Sequence, residues 1–325
     1  MAPLASPPAA RPAPRAAEVV RRLELTLGRR VDGLLHGRHL GRIPGLGSEP
    51  AESRRYVPGD DPRRMDWNVT ARTRVPHVRD AVAERELVSW LVVDLSPSTD
   101  FGTARCTKRD LVVAAASALV VLASRAGDRV GAHLLTHEGV ATFPPVAGGA
   151  HARALLEAIA AAPLPDRDPA SARPGPDLGD ALDRAARTAG RRGLVAVLSD
   201  FPGTGGWVPP LRSLAARHEI LAVEVLDPRE LDLPDVGTVV VGDVETGAVR
   251  EVRTDDPGLR ARYAAEARAR RAATARALRG CGADHLVLRT DGDPTAALVR
   301  WLAERPRRLA HLRRATAAGG TGGRP

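Results

Sequence analysis

The sequence predicts an α/β protein built on a doubly wound, mostly parallel sheet with an N-terminal extension packed on it. Two observations lead to this prediction. Short apolar runs typical of buried strands alternate with helical segments at the spacing of βαβ units. Polar residues then follow the strands, in the loops where open α/β sheets bind their ligands. The predicted strands are residues 88–94, 129–136, 194–198, 219–226 and 285–288.

The N-terminal part of the chain is expected to hold little regular structure. Residues 1–17, rich in Pro and Ala, are predicted to be disordered. Residues 18–86 are predicted to form a segment with one helix, a loop-rich stretch at 37–52 and an edge strand at 75–78. Pro76 favours an edge position for that strand, because proline lacks the N–H that a central strand must donate.

Residues 87–304 are expected to form the main domain. Thr107 and Asp110 are typical of a capping box, which would start a buried helix that runs to about Ala126. A hairpin is predicted at about 237–254, followed by a long Arg- and Ala-rich helix. The predicted helices after the first are residues 151–161, 178–189, 211–217, 259–278 and 295–304. The tail at 305–325, basic and then Gly-rich, is expected to be mobile.

The composition argues against a membrane-spanning, a disulfide-rich and a zinc-binding protein. The 325 residues are 43% hydrophobic and 27% charged, as in a soluble globular protein. No stretch reaches the roughly 18 apolar residues of a membrane span. Cys106 and Cys281 form neither a disulfide framework nor a zinc pattern, and no signal peptide precedes the fold, so a cytoplasmic location is expected.

The formal net charge of +9 raises the question of nucleic-acid binding. Lys108 is the only lysine, and the arginines are scattered along helices and both tails. Aromatic residues, on which bases could stack, make up 3% of the chain. Specific recognition of nucleic acid is therefore not expected.

The strongest candidate site follows the first central strand. Asp94, Ser96 and Ser98 provide one carboxylate and two hydroxyls within five residues. Oxygen ligands of this kind suit a small hard cation, foremost Mg²⁺ and alternatively Mn²⁺ or Ca²⁺. Because the hydroxyls are neutral, the metal would keep much of its charge. It would then attract a carboxylate of a partner more readily than it would drive hydrolysis.

The Asp-x-Ser-x-Ser pattern resembles the metal-ion-dependent adhesion site of von Willebrand factor A domains. The resemblance implies that Asp200, after the strand at 194–198, completes the site through water. In those domains a Thr from an intermediate loop is a further ligand, whereas the matching position here is Asp177. That extra carboxylate would weaken capture of an acidic partner, or would hydrogen-bond the serines and leave the site empty. Alternatively, Asp94, Asp177 and Asp200 are turn and N-cap residues.

A longer motif lies just before the first central strand. Residues 54–72 resemble the signature R-x-Y-x-P-G-D-D-x-R-x-I-D-W-x-x-x-A-R of the domain of unknown function 58 family, with Met65 in place of Ile. The resemblance implies a von Willebrand A-like, Rossmann-like fold. It also implies that the protein works with a MoxR-type AAA+ ATPase on an unknown client, in the assembly or maturation of protein complexes.

The signature permits two physical interpretations. Its charges crowd one tight turn around Pro58 and Gly59, where Arg–carboxylate pairs give directional bonds. The residues form either a structural clamp or a recognition surface for another protein. The candidates are Arg54, Tyr56, Asp60, Asp61, Arg63, Asp66, Trp67 and Arg72.

The sequence thus favours a non-catalytic interaction module over an enzyme. It has no Gly-x-Ser-x-Gly elbow, no P-loop and no Gly-x-Gly-x-x-Gly motif. The Asp-x-Asp of haloacid-dehalogenase-like phosphatases is missing at Asp94, and Ser98 has no evident base. A metal-dependent hydrolase or phosphatase and Arg-mediated binding of nucleic acid are the alternatives.

Overall fold

The structure, a computed structural model, describes residues 44–58, 60–82, 88–164, 175–203, 205–242, 249–294, 296–298 and 300–301. The chain divides into two compact units, and among the described residues one holds residues 44–82 and the other the residues from Val88 onward.

The larger unit alternates strands with helices, as the sequence predicts. Its strands are β3 (Val88–Asp94), β4 (Arg129–Thr136), β5 (Gly139–Val146), β6 (Leu194–Ser199), β7 (Glu219–Leu226), β8 (Thr238–Gly242), β9 (Val249–Arg253) and β10 (Asp284–Arg289). Its helices, numbered after α1 (Trp67–Thr73) of the smaller unit, are α2 (Lys108–Arg125), α3 (Gly149–Ala160), α4 (Leu178–Thr188), α5 (Val208–Ala215) and α6 (Pro257–Gly280). The described residues between 294 and 301 are also helical.

Six of these strands form the central sheet in the order β10-β7-β6-β3-β4-β5. Five are parallel, and β5 pairs with β4 in the antiparallel direction at one edge. The central strands are buried along nearly their whole length, which explains why they are continuous apolar runs. The predicted doubly wound, mostly parallel sheet is confirmed.

The strand order reverses at β3, and this places the candidate site. The chain passes from β3 to β4 on one side and later returns to β6 on the other side of β3. In open α/β sheets such a switch point opens a crevice at the carboxyl ends of the strands. The loops that follow Asp94 and Ser199 therefore leave the sheet at the same edge.

The predicted capping box starts α2. The Thr107 hydroxyl accepts from the Asp110 amide at 3.1 Å, and the Asp110 carboxylate accepts from the Thr107 amide at 2.9 Å. The helix is buried over most of its length, from Leu111 to Leu122. The cap makes Lys108 the first residue of the helix.

Strands β8 and β9 pair in the antiparallel direction as a separate two-stranded sheet. They correspond to the hairpin predicted at about 237–254, whose turn lies outside the described residues. Among the helices of the described ranges, none combines the length and hydrophobicity that crossing a bilayer requires.

The smaller unit consists of β1 (Pro44–Arg55), α1 (Trp67–Thr73) and β2 (His77–Val82), and β1 pairs with β2 in the antiparallel direction. The loop predicted over residues 37–52 is wrong from Pro44 onward. Glycines and prolines suggested a loop, but pairing with β2 imposes a strand, and register shifts near Pro44 and Pro50 accommodate the irregularity. The predicted disordered tails at 1–17 and 305–325 lie outside the described residues.

Candidate functional site

Asp94 is the last residue of β3 and is 1% exposed. One of its carboxylate oxygens, Oδ2, accepts a hydrogen bond from the Ser199 hydroxyl at 2.6 Å. The other, Oδ1, accepts from the Ser96 amide at 3.0 Å. The Ser199 hydroxyl in turn accepts from the Phe201 amide at 2.9 Å. The end of the neighbouring strand and the loop after β3 thus fix the Asp94 carboxylate.

The loop after Asp94 brings two hydroxyls together. The Oγ atoms of Ser96 and Ser98 lie 3.2 Å apart. Buried Thr99 tightens the turn by donating its hydroxyl to the Ser96 carbonyl at 2.8 Å. Adjacent ligands of an octahedral ion at about 2.1 Å must lie about 3 Å apart. The two hydroxyls therefore have the separation that neighbouring ligands of Mg²⁺ require.

Asp200, directly after β6, has one engaged and one unengaged carboxylate oxygen. Its side chain is 10% exposed, and Oδ2 accepts a hydrogen bond from the Lys108 ammonium at 2.7 Å. The other oxygen, Oδ1, is buried and has no hydrogen-bond partner among the described residues. A buried carboxylate oxygen without a partner is costly, so this oxygen is available to a ligand or a water molecule.

Lys108 is a further component of the site, and it is not among the site residues predicted from the sequence. Its side chain is 2% exposed, and its ammonium donates to Asp200 at 2.7 Å and to Glu230 at 2.6 Å. Burial favours the neutral amine, but the two carboxylates outweigh this effect and raise the pKa of Lys108. The signal was present in the sequence, because Lys108 is the only lysine in an Arg-rich chain and starts the helix after the Asp94 loop.

The site carries an excess of negative charge. Burial, together with the negative charge of Asp200, raises the pKa of Asp94 to about 6, although hydrogen bonds from Ser199 and Ser96 oppose the shift. Asp200 and Glu230 share the single ammonium of Lys108, and Asp200 also repels Asp94. A divalent cation would offset the negative charge of the carboxylates that Lys108 does not neutralise.

Asp177 serves as an N-cap in the structure. It is the N-cap of α4, where its carboxylate accepts from the Asp180 amide at 3.0 Å. The Asp180 carboxylate returns the bond to the Asp177 amide at 3.0 Å. Within the described part of the chain, no three His, Cys, Asp or Glu side chains are grouped to hold an ion. The structure thus shows the N-cap role of Asp177, and a grouping of three carboxylates around one position is not found among the described residues, while a ligand role for Asp177 stays a prediction.

The remaining residues fit a hard cation. The donors are all oxygens: the two serine hydroxyls, the Asp94 carboxylate and Oδ1 of Asp200. Carboxylate oxygens have two lone pairs each, so those of Asp94 retain acceptor capacity after their present hydrogen bonds. A cation with oxygen ligands and several waters, such as Mg²⁺, matches this donor set.

The acidic residues of the signature act as local caps within the smaller unit. Asp66 is buried, and its carboxylate accepts from the Ser53 hydroxyl at 2.6 Å and from the Val69 amide at 3.1 Å, which caps α1. Asp61 accepts from the Arg63 amide at 3.0 Å, and Asp60 accepts from the Val57 amide at 2.8 Å. These contacts support the structural interpretation for the three acids.

Other signature side chains face solvent. Trp67 is 69% exposed, and Arg63 and Arg72 are exposed. Tyr56 is half-buried, and its amide donates to the Pro76 carbonyl at 2.9 Å. The Arg54 side chain lies outside the described part of the structure. A recognition role thus stays a prediction for Trp67 and the two described arginines.

Comparisons with known proteins identify the family. The family model described as "Protein of unknown function DUF58" matches residues 52–273. Uncharacterized protein Rv1480 of Mycobacterium tuberculosis (strain ATCC 25618 / H37Rv) is 53% identical over 294 residues, which cover 90% of this chain and 91% of that protein. Uncharacterized protein MAV169 of Mycobacterium avium is 47% identical over 167 residues, or 51% of this chain and 95% of that protein.

Solved structures show more distant likeness. The conserved hypothetical protein BatB from Bacteroides thetaiotaomicron has 16% identity and a TM-score of 0.42, with 68% of this chain and 99% of that chain covered. A von Willebrand factor type A protein from Catenulispora acidiphila has 13% identity and a TM-score of 0.32, with 47% and 35% covered. Likeness at this level carries no argument about the site. The family-model match confirms the resemblance carried by the signature: this protein belongs to the DUF58 family.

Proposed function

We propose that this protein is a non-catalytic interaction module that binds a divalent cation through Asp94, Ser96, Ser98 and Asp200. Mg²⁺ is the preferred ion, with Mn²⁺ or Ca²⁺ as substitutes. The bound cation captures an acidic residue of a partner protein. The observation that supports this most strongly is the buried Oδ1 atom of Asp200, which lacks a hydrogen-bond partner among the described residues.

The charge balance of the site favours capture of an acidic side chain of a partner over catalysis by the bound metal. Two of the proposed ligands are neutral hydroxyls, and Lys108 offsets part of the carboxylate charge. A cation held in this way keeps a net attraction for a further carboxylate. The Ser98 hydroxyl contacts the Ser96 hydroxyl, an arrangement that does not activate a nucleophile, which requires an adjacent base.

The buried histidines are engaged elsewhere in the fold. His133 stacks on Trp90 with ring centroids 4.9 Å apart and is bonded to Thr142 and Thr188 at 3.0 and 2.9 Å. His218 contacts the Ala189 carbonyl at 3.1 Å. These contacts engage both rings within the core of the fold.

The partner we propose is a MoxR-type AAA+ ATPase, with a client protein whose assembly or maturation the two proteins assist. Membership of the DUF58 family supports this proposal. An ATPase that presents an acidic side chain to the cation would be held in a metal-dependent way. Release would then follow from removal of the metal or of that side chain.

The test is a pull-down of a purified MoxR-type ATPase on the immobilised protein, in Mg²⁺ and in excess chelator. We expect capture in Mg²⁺, loss in chelator and loss for Asp94→Ala. Glu157→Ala is the matched control, because it removes one exposed carboxylate from the surface of α3. Capture that persists in chelator would contradict the metal bridge.

A further inference from the structure

The ion pair at Lys108 is unusual for this chain. Every other Lys or Arg position of the 48 is an arginine, yet the cation buried between Asp200 and Glu230 is a lysine. Its ammonium takes one oxygen from each carboxylate, Oδ2 of Asp200 and Oε1 of Glu230.

The choice of lysine has a geometric consequence. A guanidinium is a planar fork that tends to bind both oxygens of one carboxylate, whereas an ammonium is a compact point charge. With lysine at position 108, Asp200 is held through Oδ2 alone, and Oδ1 stays without a partner among the described residues. An arginine at this position would tend to cover both oxygens.

Glu230 fixes the position of the Lys108 ammonium, because its own carboxylate is held by a neighbouring loop. The second carboxylate oxygen of Glu230, Oε2, accepts from the Asp227 amide at 2.9 Å. Asp227 is itself held by Thr103 and Thr290, with bonds of 2.6 to 2.7 Å. Glu230 is therefore anchored to a rigid network, and it holds Lys108 beside Asp200.

We infer that Lys108 is a positioning residue that sets the charge and the open ligand oxygen of the proposed metal site. It keeps Oδ1 of Asp200 available and cancels one carboxylate charge, so that a bound cation retains attraction for the carboxylate of a partner. This inference rests on the proposed function. It predicts that metal affinity follows the net charge contributed by residues 108 and 230.

The test is a calorimetric titration of Mg²⁺ into a series of charge variants. Lys108→Met makes the site more negative and should tighten Mg²⁺ binding on the order of tenfold, as expected for one unit charge near a divalent ion in a hydrated site. Glu230→Gln makes the site less negative and should weaken binding by a similar factor. The double variant should bind within about twofold of the wild type, because the two charge changes cancel.

A structural role would give a different pattern. If Lys108 only maintained the fold, each variant would bind Mg²⁺ more weakly, in proportion to its loss of stability, which thermal melts in chelator measure. Should Lys108→Met fail to fold, Glu230→Gln still tests the inference, because its side-chain carbonyl can accept from the Asp227 amide. Weaker Mg²⁺ binding with an unchanged thermal melt in chelator would support the inference, whereas weaker binding in proportion to lost stability would overturn it. Unchanged or tighter binding by Glu230→Gln would overturn the inference. A wild-type protein that binds no Mg²⁺ would instead overturn the proposed function.

Discussion

Two buried carboxylate sites at the carboxyl edge of the sheet, one at Asp227 and one at Asp94 and Asp200, differ in how many hydrogen-bond donors stabilise their charge. Asp227, after β7, is fully buried and accepts from the Thr103 amide and hydroxyl, the Thr290 hydroxyl and the Arg229 amide at 2.6 to 2.9 Å. Burial alone would raise the pKa of Asp227, but the bonds from Thr103, Thr290 and Arg229 outweigh it and lower that pKa. The pKa of Asp94, by contrast, is raised to about 6.

The difference separates a structural acid from a candidate functional one. Asp227 has enough donors to stabilise its charge, and it ties the loop at Thr103 to the end of β10 at Thr290. Asp94 and Asp200 have too few donors to stabilise their charges. The charge of Asp200 repels that of Asp94, and one buried oxygen of Asp200 has no hydrogen-bond partner among the described residues. The incomplete hydrogen bonding of these two carboxylates supports the proposed cation site.

The largest effect should come from removing Asp227. We expect Asp227→Ala to lower the free energy of unfolding by about 3–5 kcal/mol, because it leaves several buried donors unpaired. Urea denaturation in chelator measures the loss. Little change would mean that the network around Asp227 does not stabilise the fold.

Asp94→Asn should act in the opposite direction. In chelator at pH 8 we expect it to raise the free energy of unfolding by about 1–2 kcal/mol, because it removes a buried charge repelled by Asp200. The folded pKa of about 6 lies above the ordinary value of 3.8, so the stability associated with Asp94 is complete below pH 3.8 and is lost as the pH rises through 6. The gain from Asn should therefore vanish below about pH 4.

The same variant should abolish Mg²⁺ binding. A protein that becomes more stable and loses its ligand has lost a functional residue. Destabilisation at pH 8 as large as that of Asp227→Ala would show instead that Asp94 is structural, and the contrast between the two sites would disappear.

A third prediction concerns His133, which is a neutral structural group. Burial lowers the pKa of His133 from 6.5 to about 4. The unfolded chain then binds the proton first, so stability should fall as the pH drops from 6.5 to about 4, by roughly 2–3 kcal/mol. Urea melts in the Asp94→Asn background isolate this slope, and His133→Gln should flatten it. A slope that persists in that variant would assign the effect to another group.

The signature allows a buried acid and an exposed residue to be compared, and the smallest effect should appear there, at Trp67. Asp66→Ala should destabilise by about 1–2 kcal/mol, because it removes the cap of α1 and the acceptor for Ser53. Trp67→Ala should change stability by less than about 0.5 kcal/mol, because the side chain is exposed. Chemical denaturation measures both. A selective loss of ATPase capture in Trp67→Ala would assign a recognition role to this residue.

Much of the architecture could be predicted from local patterns. The strands could be predicted because buried parallel strands are continuous apolar runs. The Thr107 capping box could be predicted because its two partners lie three residues apart in the sequence. Asp94, Ser96 and Ser98 could be identified as candidates for the same reason. Strand β1 was missed because pairing with β2, and not its own glycines and prolines, determines its conformation.

The parts that could not be predicted depend on contacts between distant residues. Lys108 lies 92 residues from Asp200 and 122 from Glu230 along the chain. Ser199 lies 105 residues from Asp94. Spacing rules cannot detect such pairs in a single sequence. They also cannot decide between a ligand and an N-cap at Asp177, since Asp serves both roles.

The most direct test is a crystal of the protein soaked in Mn²⁺ and measured for anomalous scattering. We expect a single strong peak that contacts the hydroxyls of Ser96 and Ser98 and lies beside Oδ1 of Asp200, and that is missing in Asp94→Asn. A map with no peak at these hydroxyls, or with the Asp200 oxygen bonded only to protein donors, would contradict it.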